Sequence, residues 1–271
     1  MSITLEKIQG LIAGDGELPV KFAENAQKSG FSVVAISLSS DNKKELRKFC
    51  DKVYDFGPGE ISKIKNTLQA ENIHQLTFLG KVHKGMLLKN PRLDKEAIEL
   101  LKSALRLNDD AVMMLAVDEL SKIGVEVLDQ TIFIKSLMVP KGVLGKIEPT
   151  EEQLRDVEYG YEIAKKIGSI DIGQSVVVKN KMIMAVEAIE GTDCTIIRGG
   201  SLAKNGAVVV KVAKPAQDKR FDIPAIGINT LKKMKQVKAK VLAVEADETI
   251  IVQQEKMIEF ANKNKIVVMA V

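Results

Sequence analysis

The sequence predicts an α/β protein built in two halves, and three observations predict it. A short apolar run, Ile8 to Ala13, is followed by a glycine-containing loop, a helix pattern and a second apolar run, Phe31 to Leu38. Strand, loop, helix and strand in that order open a doubly wound sheet. The alternation of short apolar runs with helix-period stretches then continues to Leu128. Finally, Pro140, Gly142 and Gly145 interrupt the pattern, which restarts at Thr150. The chain therefore divides into an N-terminal domain over residues 1–139 and a C-terminal domain over residues 140–271.

In the first half, Gly14-Asp15-Gly16-Glu17-Leu18 leads into a helix from Pro19 to Lys28, with proline where helix starts favour it and Gly30 as the stop. GxG is present, but Pro19 occupies the third glycine position of the dinucleotide fingerprint, which argues against NAD. The amides of Gly14 to Gly16 either approach a phosphate or uracil group or simply make a tight turn. Lys43 to Cys50 reads as a helix and Val53-Tyr54 as a very short strand. Gly57-Pro58-Gly59 is a turn, and Glu60 to Ala70 is a helix with Ile61, Ile64 and Leu68 on one face. Leu76 to Leu79 is a buried strand, with Gly80-Lys81-Val82-His83 directly after it. Ligands of open α/β sheets gather beyond C-terminal strand ends, so Gly14 and Lys81 are expected at one crevice. Lys81 is then a phosphate ligand or a solvated lysine; His83 reads as a surface histidine. Leu93 to Leu107 and Asp109 to Ile123 are helices, the second capped by Asn108 or Asp109 and stopped by Gly124. Val125 to Leu128 is a strand, and Thr131 to Val139 reads as an extended apolar connection.

The second half opens with Thr150 and Gln153, a capping box for a helix to Ile167. Ser175 to Lys179 and Met182 to Ile189 pair as a hairpin around Asn180-Lys181. Glu190-Gly191-Thr192-Asp193 precedes a helix pattern from Cys194. Thr192 and Asp193 are either plain caps or ligands for a phosphate or sugar diol. Cys194 has no partner base and reads as buried and inert. Ala207 to Val212 is a clean buried strand, and Asn229-Thr230 after Gly227 is a helix cap. The lysines between Leu231 and Lys240 read as a solvated helix face, with attraction to an anionic membrane surface as the alternative. Val241 to Val244 is a strand ending at Glu245; Glu248 to Phe260 contains a helix, and Ile266 to Val271 is a closing strand.

Composition removes several function classes. The 271 residues are 45% hydrophobic and only 4% aromatic, so the core rests on aliphatic side chains. A net charge of +4, spread along the chain, lacks the dense basic face with aromatics of a nucleic-acid binder. Cys50 and Cys194 form no CxxC, which excludes a disulfide framework and points to a reducing cytoplasm. With only His74 and His83, any metal is a hard ion on carboxylates. Met1 to Gln9 has no signal-peptide character, and no run reaches about 18 apolar residues.

The chemistry concentrates in Lys214 to Pro224, KPAQDKRFDIP. It follows the strand at 207–212, so it is a loop at a strand end. Lys214, Lys219 and Arg220 stand beside Asp218 and Asp222, with Gln217 between them and Pro215 and Pro224 stiffening the ends. Carboxylates beside cations in such a loop hold a metal or bind a phosphate, unless the loop is only a charged surface turn.

Leu11 to Pro19, Ala185 to Asp193 and Lys214 to Pro224 with Gly227, in that order and separation, resemble the LpxI family of bacterial UDP-diacylglucosamine pyrophosphatases. The resemblance spans nearly the whole chain. It implies an N-terminal Rossmann-like domain and a C-terminal α/β domain of family-specific fold, with a lipid substrate held between them. It implies hydrolysis of UDP-2,3-diacylglucosamine to lipid X and UMP with a divalent metal, Mg2+ or Mn2+. The family's catalytic aspartate matches Asp222, with Asp218 as second choice; both are the implied metal ligands. Hydrolysis of a phosphoanhydride needs charge neutralised on the non-bridging oxygens and an oriented water. Lys211, Lys214 and Arg220 suit the phosphate charge, Thr192 and Asp193 the sugar or second phosphate, and Gln217 an amide or uracil edge. Gly14, Gly16 and Lys81 complete the expected substrate set. The lipid-linked sugar nucleotide is the expected partner, at a cytoplasmic location with peripheral contact at the inner membrane; a homo-oligomer is left open. The alternative is a non-catalytic sugar-nucleotide or lipid-phosphate binding protein, which would bind the same ligand without turnover.

Overall fold

The structure, a computed structural model, describes residues 7–39, 41–82, 93–104 and 109–271. His83 and Asn108 lie outside the described residues. The chain forms two compact units. The first holds residues Met1–Lys135 together with Lys219–Asp222; the second holds Ser136–Asp218 and Ile223–Val271.

The described elements of the first unit are β1 (Ile8–Ala13), α1 (Leu18–Lys28), β2 (Ser32–Ser37), α2 (Lys43–Leu46), β3 (Lys52–Asp55), α3 (Ile61–Ala70), β4 (Gln75–Leu79), α4 (Lys95–Ala104), α5 (Asp109–Lys122) and β5 (Glu126–Val127). The strands form one sheet in the order β3-β2-β1-β4-β5, every pair parallel. That is the order of a doubly wound sheet, and its reversal falls between β1 and β4. Parallel strands are covered on both faces, which is why β2 reads as a nearly continuous run, Ser-Val-Val-Ala-Ile-Ser. Alternation then sorts the side chains: Ile12, Val34 and Ile36 pack with Ile64 and Leu68 of α3 in one cluster. Ile64 and Leu68 are four apart, so both face the sheet, and truncating Leu68 to alanine would cost about 2–5 kcal/mol.

Two stretches of this half depart from expectation. The helix expected to Cys50 is one turn, α2, because Lys48 and Phe49 bond three residues back, to Glu45 and Leu46, and tighten the chain out of the helix. Thr131 to Val139 is not extended. The Asp129 carboxylate accepts from both the amide and the hydroxyl of Thr131 at 2.7 Å, and Ile134 N–H bonds back to Thr131 O. Those bonds curl the segment into turns and a 3-10 turn at Lys135–Leu137. Its apolar residues are spent on packing: Ile134 is fully buried, and the Phe133 ring meets Phe22 and Phe31 edge-on.

The second unit contains β6 (Gly142–Val143), α6 (Glu151–Ser169), β7 (Ser175–Lys179), β8 (Met182–Val186), α7 (Gly191–Ala203), β9 (Val208–Lys211), β10 (Ala225–Ile226), α8 (Ile228–Gln236), β11 (Val241–Val244), β12 (Ile250–Ile251), α9 (Gln254–Lys263) and β13 (Val267–Ala270). Six strands make a mixed sheet, β6-β13-β11-β9-β7-β8, with β9, β11 and β13 parallel and β6, β7 and β8 antiparallel to their neighbours. β10 and β12 pair separately. One face of the central strands, Val209, Leu242, Val244 and Val268, packs with Ile196, Leu231, Met234 and Met257. The other, Val208, Val210, Val241 and Val267, packs with Val157 and Ala164 of α6.

The capping box at Thr150 and Gln153 is formed in both directions. The hairpin turns through Asn180 and Lys181, both in the left-handed region at φ 52° and 54°, as a two-residue turn demands. The buried Asp156 carboxylate accepts both turn amides, at 2.9 and 2.7 Å. Three expectations change. α7 begins at Gly191 (φ 77°), so Thr192 and Asp193 lie inside its first turn rather than capping it. That start turns Cys194 outward, and it is exposed rather than buried. α8 begins at Ile228, with Thr230 N–H bonded to Gly227 O, so Asn229-Thr230 is no cap. The stretch after Glu248 holds the expected helix, α9 from Gln254, after the short strand β12.

Candidate functional site

The C-terminal ends of β1 and β4 carry the first group of expected residues. Gly14 N–H donates to Leu79 O at 2.8 Å, and Asp15 and Lys81 exchange both backbone bonds at 2.9 Å. The two loops touch through their glycines. A Cβ on Gly14 would lie 2.6 Å from Lys81 O, and one on Gly80 (φ 89°) 2.7 Å from Asp15 O. Gly14 is therefore required by loop packing, and its amide is already used. Gly16, at φ 103°, is exposed with open space around it, and the Lys81 side chain is exposed beside the same loop. Ser39 Oγ donates to the Asp15 carboxylate, and Asn42 Nδ2 to Gly14 O, which fixes the loop from β2's side.

Lys219, Arg220, Phe221 and Asp222 belong to this same unit. Gln130 N–H donates to Lys219 O at 2.9 Å, and Gln130 Nε2 donates to Phe78 O at 2.7 Å. Phe221 packs against the cluster of Ile12, Ile36 and Leu76. Arg220 Nη2 lies 3.2 Å from Met114 Sδ.

In the second unit, β9 ends at Lys211, which is 8% exposed. Its Nζ reaches Thr192 Oγ1 at 3.3 Å, and Thr192 Oγ1 donates to Glu187 Oε1 at 2.9 Å. Ser175 Oγ stands 3.4 Å from the same hydroxyl. An ammonium and a carboxylate, both withdrawn from water, thus flank one hydroxyl at the start of α7. Asp193, next along, is exposed. The loop after β9 leaves through a clamp. Glu245 Oε2 accepts from Ala213 N–H at 2.8 Å, Lys165 Nζ donates to Ala213 O at 2.9 Å, and Lys165 and Glu245 pair at 3.0 Å. Tyr161 Oη donates to Glu245 at 2.9 Å; burial first, and then the carboxylate, push its hydroxyl up to about 12. Beyond the clamp, Lys214 N–H donates to Gln217 Oε1 at 2.7 Å, and Lys214 Nζ pairs with Asp171 at 2.8 Å.

The structure thus brings Lys211 together with Thr192, Lys214 with Gln217, and Gly14 with Lys81. It assigns Asp218 to the second unit and Asp222 to the first. Among the described residues, no group of three or more His, Cys, Asp or Glu is poised around a metal position. Magnesium does not need one: it is usually held by one or two carboxylates plus substrate phosphates and water. Asp218 and Asp222, the expected ligands, each carry hard oxygen donors of the kind that ion takes. A surface depression lined by Glu60, Ser62, Lys63, Leu93 and Asp94 contains none of the expected site residues.

Sequence reasoning missed Glu187, Lys165, Glu245 and Gln130. Glu187 lies within the Ala185–Asp193 stretch, so its motif was in view but its contact with Thr192 was not. Lys165 sits among the charges of α6, Glu245 reads as a strand end, and Gln130 belongs to no motif.

The model of the LpxI N-terminal domain family matches residues 9–137, and that of the LpxI C-terminal domain family matches residues 140–269. Over 265 residues the chain is 32% identical to the UDP-2,3-diacylglucosamine pyrophosphatase LpxI of Caulobacter vibrioides, covering 93% of each. Among solved structures, the ADP complex of N5-carboxyaminoimidazole ribonucleotide synthetase matches over 76% of this chain and 41% of its own, at 14% identity and TM-score 0.29. The biotin carboxylase domain of the Hydrogenobacter thermophilus 2-oxoglutarate carboxylase matches over 84% and 40%, at 13% identity and TM-score 0.28.

Proposed function

The chain belongs to the LpxI family, and from that premise we propose that it hydrolyses the pyrophosphate of UDP-2,3-diacylglucosamine to lipid X and UMP in lipid A synthesis. The observation that carries this reading is the match along 93% of both chains to a relative named for that activity.

In the reaction a water oxygen forms a bond to phosphorus while the bridging P–O bond breaks. Asp222 orients the attacking water, and Asp218 is the second carboxylate of the loop. Lys211, Lys214 and Arg220 take up phosphate charge, Arg220 through a planar two-pronged contact. Thr192, held between Glu187 and Lys211, presents its hydroxyl in one orientation, and with Asp193 it meets the sugar or the second phosphate. Gln217 meets the uracil edge or an amide. Gly16 and Lys81 form a further phosphate contact, in a loop that Gly14 shapes. Asp222 and Asp218 would hold Mg2+ or Mn2+, and such an ion supplies charge neutralisation at the phosphoryl oxygens.

The test is turnover of UDP-2,3-diacylglucosamine by wild type, Asp222→Ala and Asp218→Ala. Asp222→Ala is expected to abolish product release while its unfolding midpoint stays near wild type. Chelation is expected to stop the wild-type reaction and magnesium or manganese to restore it. Near-normal turnover by Asp222→Ala, with loss in Asp218→Ala, would reverse the two roles. Turnover by both would move the site elsewhere, and full activity after exhaustive chelation would remove the metal. Binding without turnover by the wild type would leave a binding protein instead.

A further inference from the structure

We propose that Gln130 is a positioning residue for the reaction, setting where the Lys219–Asp222 segment stands relative to the C-terminal end of β4. The proposal rests on the reading of Asp222 given above.

Gln130 is 8% exposed, and two of its bonds run in different directions. Its backbone N–H donates to Lys219 O at 2.9 Å, three residues before Asp222. Its side-chain Nε2 donates to Phe78 O at 2.7 Å. Phe78 is the penultimate residue of β4, and the strand's end leads directly to Gly80 and Lys81. One residue therefore joins the backbone that carries Arg220 and Asp222 to the strand that leads into Lys81. The turn holding Gln130 is itself fixed, since Asp129 Oδ1 accepts from Thr131 N–H and Oγ1 at 2.7 Å each. Phe221 packs against the same unit's core, so the segment is held at Lys219 O and at the ring beside Asp222.

A buried amide bonded to a strand carbonyl has a plain packing use, and two features go beyond it. The carbonyl it meets is at the catalytic rim, and the residue it meets through its own backbone lies in the segment bearing the essential carboxylate. Displacement of a reacting group by about 1 Å costs on the order of a hundredfold in rate. Loosening Gln130 should therefore reduce kcat more than binding.

The experiment uses the full chain with Gln130→Leu and Gln130→Glu. Neither ionised glutamate nor leucine donates to Phe78 O, and both leave the backbone bond to Lys219 possible. Expected is a fall in kcat of about 10–100-fold with KM within about threefold of wild type. Ile64→Val, which loosens the same core, should leave kcat unchanged. If folded Gln130 variants keep kcat within about twofold, or if Ile64→Val loses as much, Gln130 is a packing residue and the proposal fails. Should both Gln130 variants fail to fold, Asp129→Ala loosens the same turn and must show the same kcat loss; unchanged kcat there overturns the proposal. Asp222→Ala is measured in parallel. Retained turnover in that variant defeats the reading of Asp222, whereas its loss beside unaffected Gln130 variants defeats this proposal alone.

Discussion

Cys50 is a thiol that gives up its proton reluctantly: burial, and then the neighbouring Asp51, push it from 9.0 up to about 12. Between those values the native state keeps a proton that the unfolded state releases. The associated stability is complete below about pH 9 and falls as pH rises toward 12. Tyr161, raised from 10.0 to about 12, acts in the same direction. The thermal midpoint should therefore drop more steeply between pH 9 and 11 in wild type than in Cys50→Ala; parallel slopes would show that the thiol is not the source. At pH 8, iodoacetamide should label exposed Cys194 in the native protein and Cys50 only after unfolding, read by peptide mass. Exposure was the property of Cys194 that the sequence could not reveal, because it depends on α7 starting three residues early. The same shift hid Glu187. Lys211 and Thr192 were legible as chemistry-bearing types beside strand ends, but the carboxylate that holds the hydroxyl is chosen by the path of the chain between Val186 and Gly191.

At the scale of elements, the loops after β1 and β4 are interlocked by backbone, with no side chain able to yield. Gly80→Ala places a methyl group 2.7 Å from Asp15 O and Gly14 C, so the loops must separate. The clash is expected to add about 1–3 kcal/mol in urea unfolding to the left-handed backbone cost that Gly124→Ala shares. Gly124 has a similar φ of 78° and no atom within 4 Å of the added methyl, so its loss is that of the left-handed backbone alone, about 1–2 kcal/mol. Equal losses would mean the loops part freely. The elements most legible in the sequence were those with a local cause: the valine runs of β9 and β11, the capping box at Thr150, and the turn at Asn180-Lys181. Those misread show no plain signal in the sequence. Thr131 to Val139 is apolar because it packs, and its coiling follows from one carboxylate at Asp129. β10 and β12 are two residues each and exist through their pairing, a contact about 25 residues apart that no window of sequence displays.

For the whole molecule, no described helix is long and apolar enough to cross a membrane. The Pro140–Gly145 break marks a change of pattern, but nothing local signals that Lys219–Asp222 belongs with the first unit. A fragment of residues 1–135 lacks Phe221 and should show weaker amide-exchange protection at Ile36, Leu68 and Leu76 than the intact chain. Equal protection would mean that the phenylalanine is dispensable to that core. The membership of this short segment also imposes an order on biogenesis. Phe221 leaves the ribosome 86 residues (221 − 135) after Lys135, and at about 5–20 residues per second the delay lasts about 4–17 seconds. The half that is translated first is thus among the last to be completed. During that interval an unfilled apolar position is open to chaperones and to neighbouring nascent chains, and slower translation of the second half lengthens the exposure.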